Sequence, residues 1–490
     1  MTTTIPPRFR ITKRITFPIA GSATKGSIQF FPWTLGADHK VFNGKWHTSD
    51  RWRAMVVEFS DAFAMVDGKH LYIHTKPKFT SCFPLNAKVL QKEDTPQVAW
   101  ALRSSYPFDP IVLVADNRRI LVFNVRQKRV VGLIRGHGGR ITSIAVHPSS
   151  PNIFATTSSD FTTRIYNLDH KVSNTTENPI WEPWDEPSSG SAAHGTDGSD
   201  STGSGIGYCF QILIRGSGGH AWDVLGAAFH PHLPLIATCG ADRYVKIWRI
   251  FSDKCESVFR EDKPLFSARI TTSRVLSIAW LGEDVLLMHT AATWTPIRTR
   301  PEDTFDEDGF EDTIEIGAGT IDIFQWLGLK RFFPNGLAPD PVLRGGSSDY
   351  QESKSYTLIA TQHLAFPQQQ IPIEPISTIS HPRMLHGRFL FVYPDSKDIV
   401  LLDVSKLASR TLPTNTSADP LVEMTKRIRL DESASPSPSG SVRGTPFAEH
   451  LFQFDDFDSG VDIAACALAP SGAVVILGSK GRMWFLTREA

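Results

Sequence analysis

Short apolar runs, each closed by a polar turn, follow one another along this chain. Ala54–Phe59 and Ala62–His74 make a first pair, broken by the turn Asp67-Gly68. Val98–Leu102 with Ile111–Val125 makes a second, in which Asn117 stands six residues before Phe123. Further on come Val275–Trp280 with Thr320–Trp326, then Phe389–Tyr393 with Ile399–Val404, where Asp395 precedes Leu401 by six. Ile463–Ala469, Ala473–Gly478 and Arg482–Leu486 form the last group. Runs of this length, rich in β-branched and aromatic residues and bounded by turn formers, predict strands gathered into small sheets.

Two passages between these groups repeat. Gly136-His137-Gly138-Gly139-Arg140 runs on through His147-Pro148, Asp160 and Arg164-Ile165-Tyr166. The same order returns as Gly219-His220, His230-Pro231, Asp242 and Lys246-Ile247-Trp248. In both copies the first His leads the second by ten residues and the Asp precedes the aromatic by six; the His-to-Asp gap is 23 in one and 22 in the other. Such a unit marks a WD40 blade, a four-stranded sheet of a β-propeller. With the other groups it predicts an all-β, seven-bladed WD40 β-propeller with several long disordered insertions. An N-terminal strand is expected to join the final blade, which removes exposed edges.

The spacing has a chemical reason. A hydroxyl stands four residues before each Asp, so one copy offers His137, Thr156, Asp160 and Tyr166, and the other His220, Thr238, Asp242 and Trp248. Within a blade the carboxylate accepts from the imidazole, which bonds the hydroxyl, which in turn meets the aromatic. Each bond contributes about 0.5–1.5 kcal/mol net, and linked bonds stiffen one another. The same residue types suggest a catalytic triad. Repetition argues against that, because a brace recurs with the blades and an active site does not.

Composition narrows the class. At 490 residues and 41% hydrophobic content the chain can bury a large core, and seven blades of about 40–45 residues use roughly 300 of them. Lys+Arg and Asp+Glu both number 51, so charge does not argue for wrapping nucleic acid, and no recognised motif adds to it. Cys82, Cys209, Cys239, Cys255 and Cys466 form no C-x-x-C pair, which fits a reducing compartment without a disulfide framework or zinc site. His70 and His74 lie four apart, but on a strand they stand about 13 Å from each other, too far for one metal. No G-x-S-x-G, phosphate loop or H-E-x-x-H occurs, so no catalytic residue and no cofactor is expected. The start MTTTIPPRFRITKR lacks a signal-peptide core and no run of about 18 apolar residues follows, so a soluble intracellular protein without membrane contact is expected.

Residues 1–25 are read as a flexible N-terminal segment and 26–490 as the propeller. Four low-complexity stretches interrupt it, at about 171–207, 297–319, 334–355 and 408–448. The first contains SSGSAAHGTDGSDSTGSGIG, too polar and Gly/Ser-rich to fold, and its removal shortens the His137–His220 step to one blade length. The second is acidic and reads as a solvated loop; the third is Pro/Gly-rich. The last holds Lys426-Arg427-Ile428-Arg429 and the cluster Ser435-Pro436-Ser437-Pro438, weak signals for nuclear import and phosphorylation.

The wording of the repeats says more. Arg119–Val125 leading to Leu133-Ile134-Arg135-Gly136-His137-Gly138 and His147-Pro148 resembles the second-to-third blade passage of the Polycomb EED/extra sex combs family. Gly219-His220-Ala221-Trp222-Asp223-Val224-Leu225, Cys239-Gly240-Ala241-Asp242 and Lys246-Ile247-Trp248-Arg249-Ile250 resemble its fourth blade, down to Trp-Arg-Ile where generic blades end Trp-Asp. Phe266–Arg269 and Val275–Gly282 are similar to its link into blade five; the likeness covers about residues 95–285. It implies a non-catalytic scaffold subunit of Polycomb repressive complex 2 in the nucleus. Its partners would be the SET-domain methyltransferase subunit, the other subunits of the complex and the histone H3 tail, in support of lysine-27 methylation and repression.

The family also carries an aromatic cage for trimethyl-lysine, whose π-faces hold the cation. Here the matching positions are not aromatic. The cage Tyr lies four residues before the blade-two Trp, which is Trp100, and so falls on Pro96. The cage Phe precedes a strand like Ser27-Ile28-Gln29-Phe30, and so falls on Gly26. The cage Trp-Tyr pair falls on Pro375-Ile376 or, in another alignment, on Phe324-Gln325. We prefer the first, because Thr320–Trp326 makes a good closing strand for its blade. Phe31, Trp33 and Trp326 are the nearby substitutes, although burial is the commoner fate of strand aromatics. A scaffold with a degraded cage is the expectation. The alternative is an adaptor such as a cullin-ligase substrate receptor, which usually shows Trp-Asp-x-Arg; Tyr166-Asn167-Leu168-Asp169 and Trp248-Arg249-Ile250-Phe251 lack that motif.

Overall fold

Each group of apolar runs pairs with its own chain neighbours in a computed structural model, and the result is an all-β WD40 β-propeller. The structure describes residues 9–16, 27–35, 41–66, 70–75, 79–84, 96–171, 206–251, 258–299, 311–317, 319–333, 348–363, 383–385, 388–395, 398–403, 448–453, 463–478 and 482–488. Among them are six four-stranded sheets, one five-stranded sheet and a two-stranded ribbon. The first sheet is Ser27–Phe30, Phe63–Val66, His70–Thr75 and Phe79–Pro84. The second is Gln97–Ala101, Ile111–Asp116, Arg119–Asn124 and Arg129–Ile134. The third, Ile141–Val146, Ile153–Ser158, Thr163–Lys171 and Ile206–Leu213, gains Phe259–Glu261 as a parallel fifth strand.

The fourth sheet comprises Val224–Phe229, Leu235–Gly240, Val245–Arg249 and Phe266–Ala268, and the fifth Val275–Trp280, Val285–Thr290, Thr320–Trp326 and Tyr356–His363. Arg383–Leu385, Arg388–Asp395, Asp398–Asp403 and Ala448–Gln453 make the sixth. The closing sheet joins Ile463–Leu468, Val474–Gly478 and Arg482–Arg488 to the N-terminal strand Phe9–Thr16, which pairs antiparallel with Arg482–Arg488.

Among the described side chains, apolar residues of the inner strands are buried on both faces, and each core cluster spans two neighbouring sheets. One joins Phe31, Val66 and Leu71 to Trp100, Val112 and Phe123; another joins Leu113, Val122 and Ile134 to Phe154, Tyr166 and Leu168. Ala155, Ile165 and Phe210 meet Phe229 and Trp248, and Leu235, Ile247 and Phe266 meet Trp280, Met288 and Phe324. Phe30, Phe63 and Met65 pack on Ala467, Val475 and Met483, so the first sheet rests on the closing one. Hydrogen bonds repeat these links. The Trp100 indole donates to the Gln29 carbonyl at 2.9 Å, the Trp280 indole to the Ala228 carbonyl at 3.0 Å, and the Ser471 amide to the Asp61 carboxylate at 3.2 Å.

Several expectations need correction. Ala54–Phe59 is not a strand; most of it lies in helix α1, Asp50–Glu58, and Ser27–Phe30 supplies the first strand instead. Trp52, Met55, Val56 and Phe59 are buried at spacings of three, four and seven, a helical stripe, whereas an alternating strand would expose half of them. Thr320–Trp326 does not close its sheet, because Tyr356–His363 pairs along its outer side. Nor is the acidic stretch 297–319 a plain loop: Thr293–Thr299 and Glu311–Gly317 pair as a ribbon. In 334–355, Ser348–Tyr350 forms a 3-10 turn and buried Ser353 donates its amide to the Ser267 carbonyl at 2.6 Å, so the chain docks there on the fourth sheet. Within 1–25, Phe9–Thr16 forms the strand noted above, held by a ladder that any backbone can make. The Gly/Ser-rich part of 171–207, Cys255, and the Lys426–Arg429 and Ser435–Pro438 signals lie outside the described residues.

Candidate functional site

The turn between second and third strands of a blade lies at the same end as the loop entering its first strand, because antiparallel strands alternate direction. That geometry brings the two ends of each repeat together. In the fourth sheet His220 Nδ1–H donates to Asp242 at 2.9 Å and its Nε2 accepts from the Thr238 hydroxyl at 2.8 Å. Thr238 Oγ1 accepts the Trp248 indole N–H at 2.8 Å, which completes a relay from indole to carboxylate. The Asp242 carboxylate also takes the amides of Ala221 and Tyr244, both at 3.1 Å. In the third sheet His137 reaches Asp160 at 2.9 Å and Thr156 at 2.8 Å, and Asp160 takes the Gly138 amide at 2.9 Å and the Thr162 hydroxyl at 2.6 Å. Here the relay stops at Thr156, for the buried Tyr166 hydroxyl has no formed hydrogen bond.

Electrostatics suits a static brace. Burial is the dominant influence on both His137 and His220 and holds their pKa values below the usual range, against the pull of their Asp partners. Both rings are therefore neutral near pH 7, with Nδ1 carrying the proton. Burial acts on Asp160 and Asp242 too, raising them, but the His rings and the amide and hydroxyl donors outweigh it and keep both carboxylates ionised. The four side chains are 1–4% exposed, so no substrate reaches them. Lys246, buried beside this set, donates to the Ser267 hydroxyl at 2.7 Å, and burial pushes its pKa down to about 8. Among the described residues no group of His, Cys, Asp and Glu is placed to hold a metal ion, and no helix is long and apolar enough to cross a membrane.

Of the four positions matched to a methyl-lysine cage, one lies among the described residues. Pro96 is buried at the start of the second sheet, and Gly26, Pro375 and Ile376 lie outside the described residues. Phe324 is fully buried, and the Gln325 amide donates to the Asp284 carboxylate at 2.7 Å. The three substitutes are core residues: Phe31, Trp33 and Trp326 are 0%, 6% and 1% exposed. Phe31 meets Trp33, Trp100 and Phe59 at ring distances of 5.0, 5.3 and 5.4 Å, while Trp326 stacks on Phe332 at 6.0 Å.

The other end of the ring carries an element that sequence reading missed. The connection holding α1 leaves the first sheet at the end opposite the braces and crosses two neighbouring sheets. The Phe42 amide donates to the Ser149 carbonyl at 2.7 Å, Trp46 meets the Phe108 ring edge-on at 5.6 Å, and Glu58 pairs with Arg126 at 2.7 Å. At the same end the Ser149 hydroxyl donates to the Pro231 carbonyl and His230 Nε2–H to the Glu283 carbonyl, both at 2.9 Å. Over the first five sheets this face is a belt of turns tied from sheet to sheet.

Comparison with known proteins adds family to geometry. The family described as WD domain, G-beta repeat matches residues 128–167 and 209–249, the two braced blades. The Polycomb group protein FIE1 of Zea mays is 24% identical over 246 residues, 46% of this chain and 42% of that protein. The Polycomb protein EED of Chaetomium thermophilum is 27% identical over 144 residues, 29% of this chain and 19% of that one. The chain thus spans less than half the length of each of these two relatives in its matched part. A subunit chain of the Chaetomium thermophilum Polycomb repressive complex 2 superposes with a TM-score of 0.56 at 16% identity, over 98% of both chains, and one from that complex with H3K27me3 and H3K27M with 0.57 at the same identity and coverage. These superpositions show a common fold.

Proposed function

The chain being a WD40-repeat homologue of the Polycomb EED and FIE proteins, we propose that it is a non-catalytic scaffold subunit of a Polycomb repressive complex 2-like histone methyltransferase. In this reading it works in the nucleus, binds a SET-domain catalytic subunit and the other subunits, and supports histone H3 lysine-27 methylation and repression. The observation that carries it is the pair of braced blades, which match the WD-repeat family over residues 128–167 and 209–249 and of which the second ends Trp248-Arg249-Ile250. A rigid disc with a tied belt of turns suits this work, because a partner segment orders on it without deforming it. Affinity purification of the tagged chain followed by mass spectrometry tests the proposal. A SET-domain methyltransferase is expected among the recovered proteins; cullin subunits in its place overturn the reading.

Seven blades are our count for the ring, with the five-stranded sheet taken beside the six four-stranded ones. The propeller then runs over 26–490 with its insertions, and the strand before residue 26 adds to it. We also read the trimethyl-lysine cage as degraded. Gly26, Pro96, Pro375 and Ile376 offer no π-face, and the burial of Phe31, Trp33 and Trp326 leaves them none to lend. Calorimetric titration with histone H3 peptides should give no selectivity for trimethylated over unmodified lysine 27. Micromolar selectivity would sink the idea.

A further inference from the structure

Three turns at the brace end hold a residue with positive φ at the same place, between second and third strands: Asn117 at 54°, Phe161 at 68° and Arg243 at 71°. Asn adopts this left-handed conformation readily, whereas a bulky side chain there is an outlier that needs a compensating gain. Phe161 does not find that gain in the core, for it is half-buried at the surface. Its ring meets the edge of Trp222 at 6.4 Å, and the Arg215 guanidinium lies over it at 5.8 Å. Trp222 is 64% exposed, next to a loop whose His220 is almost fully buried. Two aromatic rings and a guanidinium thus form a ladder on the outside of the third and fourth sheets.

Two guanidinium groups are accessible beside the ladder. Arg215 and Arg243 are exposed, whereas the Asp160 and Asp242 side chains are 4% exposed and engaged by His rings and amides. Two further carboxylates lie nearby: Asp223, partly buried, faces the Arg140 charge, and Asp262 accepts the Ser217 amide at 2.9 Å, two residues along from Arg215. An anionic peptide gains charge pairing with the two guanidinium groups and apolar contact with the exposed Trp222 ring.

We propose that Phe161, Trp222 and Arg215, with Arg243 at the rim, form a docking site for an acidic peptide segment of a partner protein. Carboxylates pair with the two guanidinium groups, and an apolar side chain of the peptide lies against Trp222. The site belongs to the brace end of the ring and does not depend on which complex the chain serves.

Fluorescence anisotropy with the full chain tests it, using a fluorescein-labelled peptide Glu-Asp-Phe-Glu-Asp-Glu and its counterpart with Lys in place of every acidic residue. The acidic peptide is expected to bind and the Lys peptide not, with affinity falling as salt rises. Trp222→Ala and Arg215→Glu should each weaken binding about tenfold or more, since an exposed Trp or Arg at the centre of a small site carries much of its energy. Phe161→Asn should weaken binding yet keep or raise the melting temperature, because Asn suits the left-handed turn. Three results overturn the proposal: equal binding of both peptides or of neither, variants that bind like the parent, or a Phe161→Asn protein that melts lower. Self-association lost in Trp222→Ala also overturns it and assigns the surface to a second copy of the chain.

Discussion

Thr238 is the hinge of the brace in the fourth sheet, since its one hydroxyl serves both His220 and Trp248 at 2.8 Å. Thr238→Val keeps the shape and strands a buried acceptor and a buried donor, each costing about 1–3 kcal/mol, so urea unfolding should show a loss of at least about 2 kcal/mol. Tyr166→Phe is the contrasting case. It removes an oxygen that has no formed hydrogen bond, and stability should stay level or rise by up to about 1 kcal/mol. A large loss instead would show that the phenol is bonded. The identities of these residues were legible because the repeat places them at a constant offset. The missing bond at Tyr166 was not, because it depends on how one ring sits in a shared core. Phe161 and Trp222 gave no signal either: positive φ and exposure are properties of a folded turn.

Among elements, the turns between first and second strands carry one source of pH dependence. His230 Nε2–H donates to the Glu283 carbonyl at 2.9 Å, while its Nδ1 accepts the amides of His232 and Leu233 at 3.1 and 2.8 Å, an arrangement open only to the neutral ring. His147 likewise accepts the amides of Ser149 and Ser150 at 3.2 and 3.1 Å. Burial pushes both down to about 4 from 6.5. The folded state then binds fewer protons than the unfolded one between these values. The contribution of these two rings should be fully present above about pH 6.5, fall as pH drops towards about 4, and level off below. Thermal melts across this range check the sign, and His230→Gln should flatten the curve. Element type was harder to read than element place. Met55-Val56-Val57 has a strand-like composition, and only the shared core of Trp52, Met55, Val56 and Phe59 with Phe31, Val66 and Trp100 makes α1 the better solution. A short apolar run fits either element until its neighbours are known.

For the whole molecule, the decisive contact is the N-terminal strand Phe9–Thr16 along Arg482–Arg488. Deleting residues 1–16 leaves that edge unpaired, so the shortened chain should melt at a lower temperature and aggregate with concentration, measurable by calorimetry and light scattering. An unchanged melting temperature would mean that closure rests on side-chain packing alone. What the sequence determined by itself is the blade: His, hydroxyl, Asp and aromatic act within one sheet, so their spacing is written locally and repeats. What only the tertiary structure decided is how blades and inserts meet. Ser471 bonds Asp61 from 410 residues away, Phe259–Glu261 joins a sheet begun more than a hundred residues earlier, and α1 lies under its neighbours' turns. Such contacts join segments with no common period, and each is chosen by the surface the rest of the ring leaves to be covered.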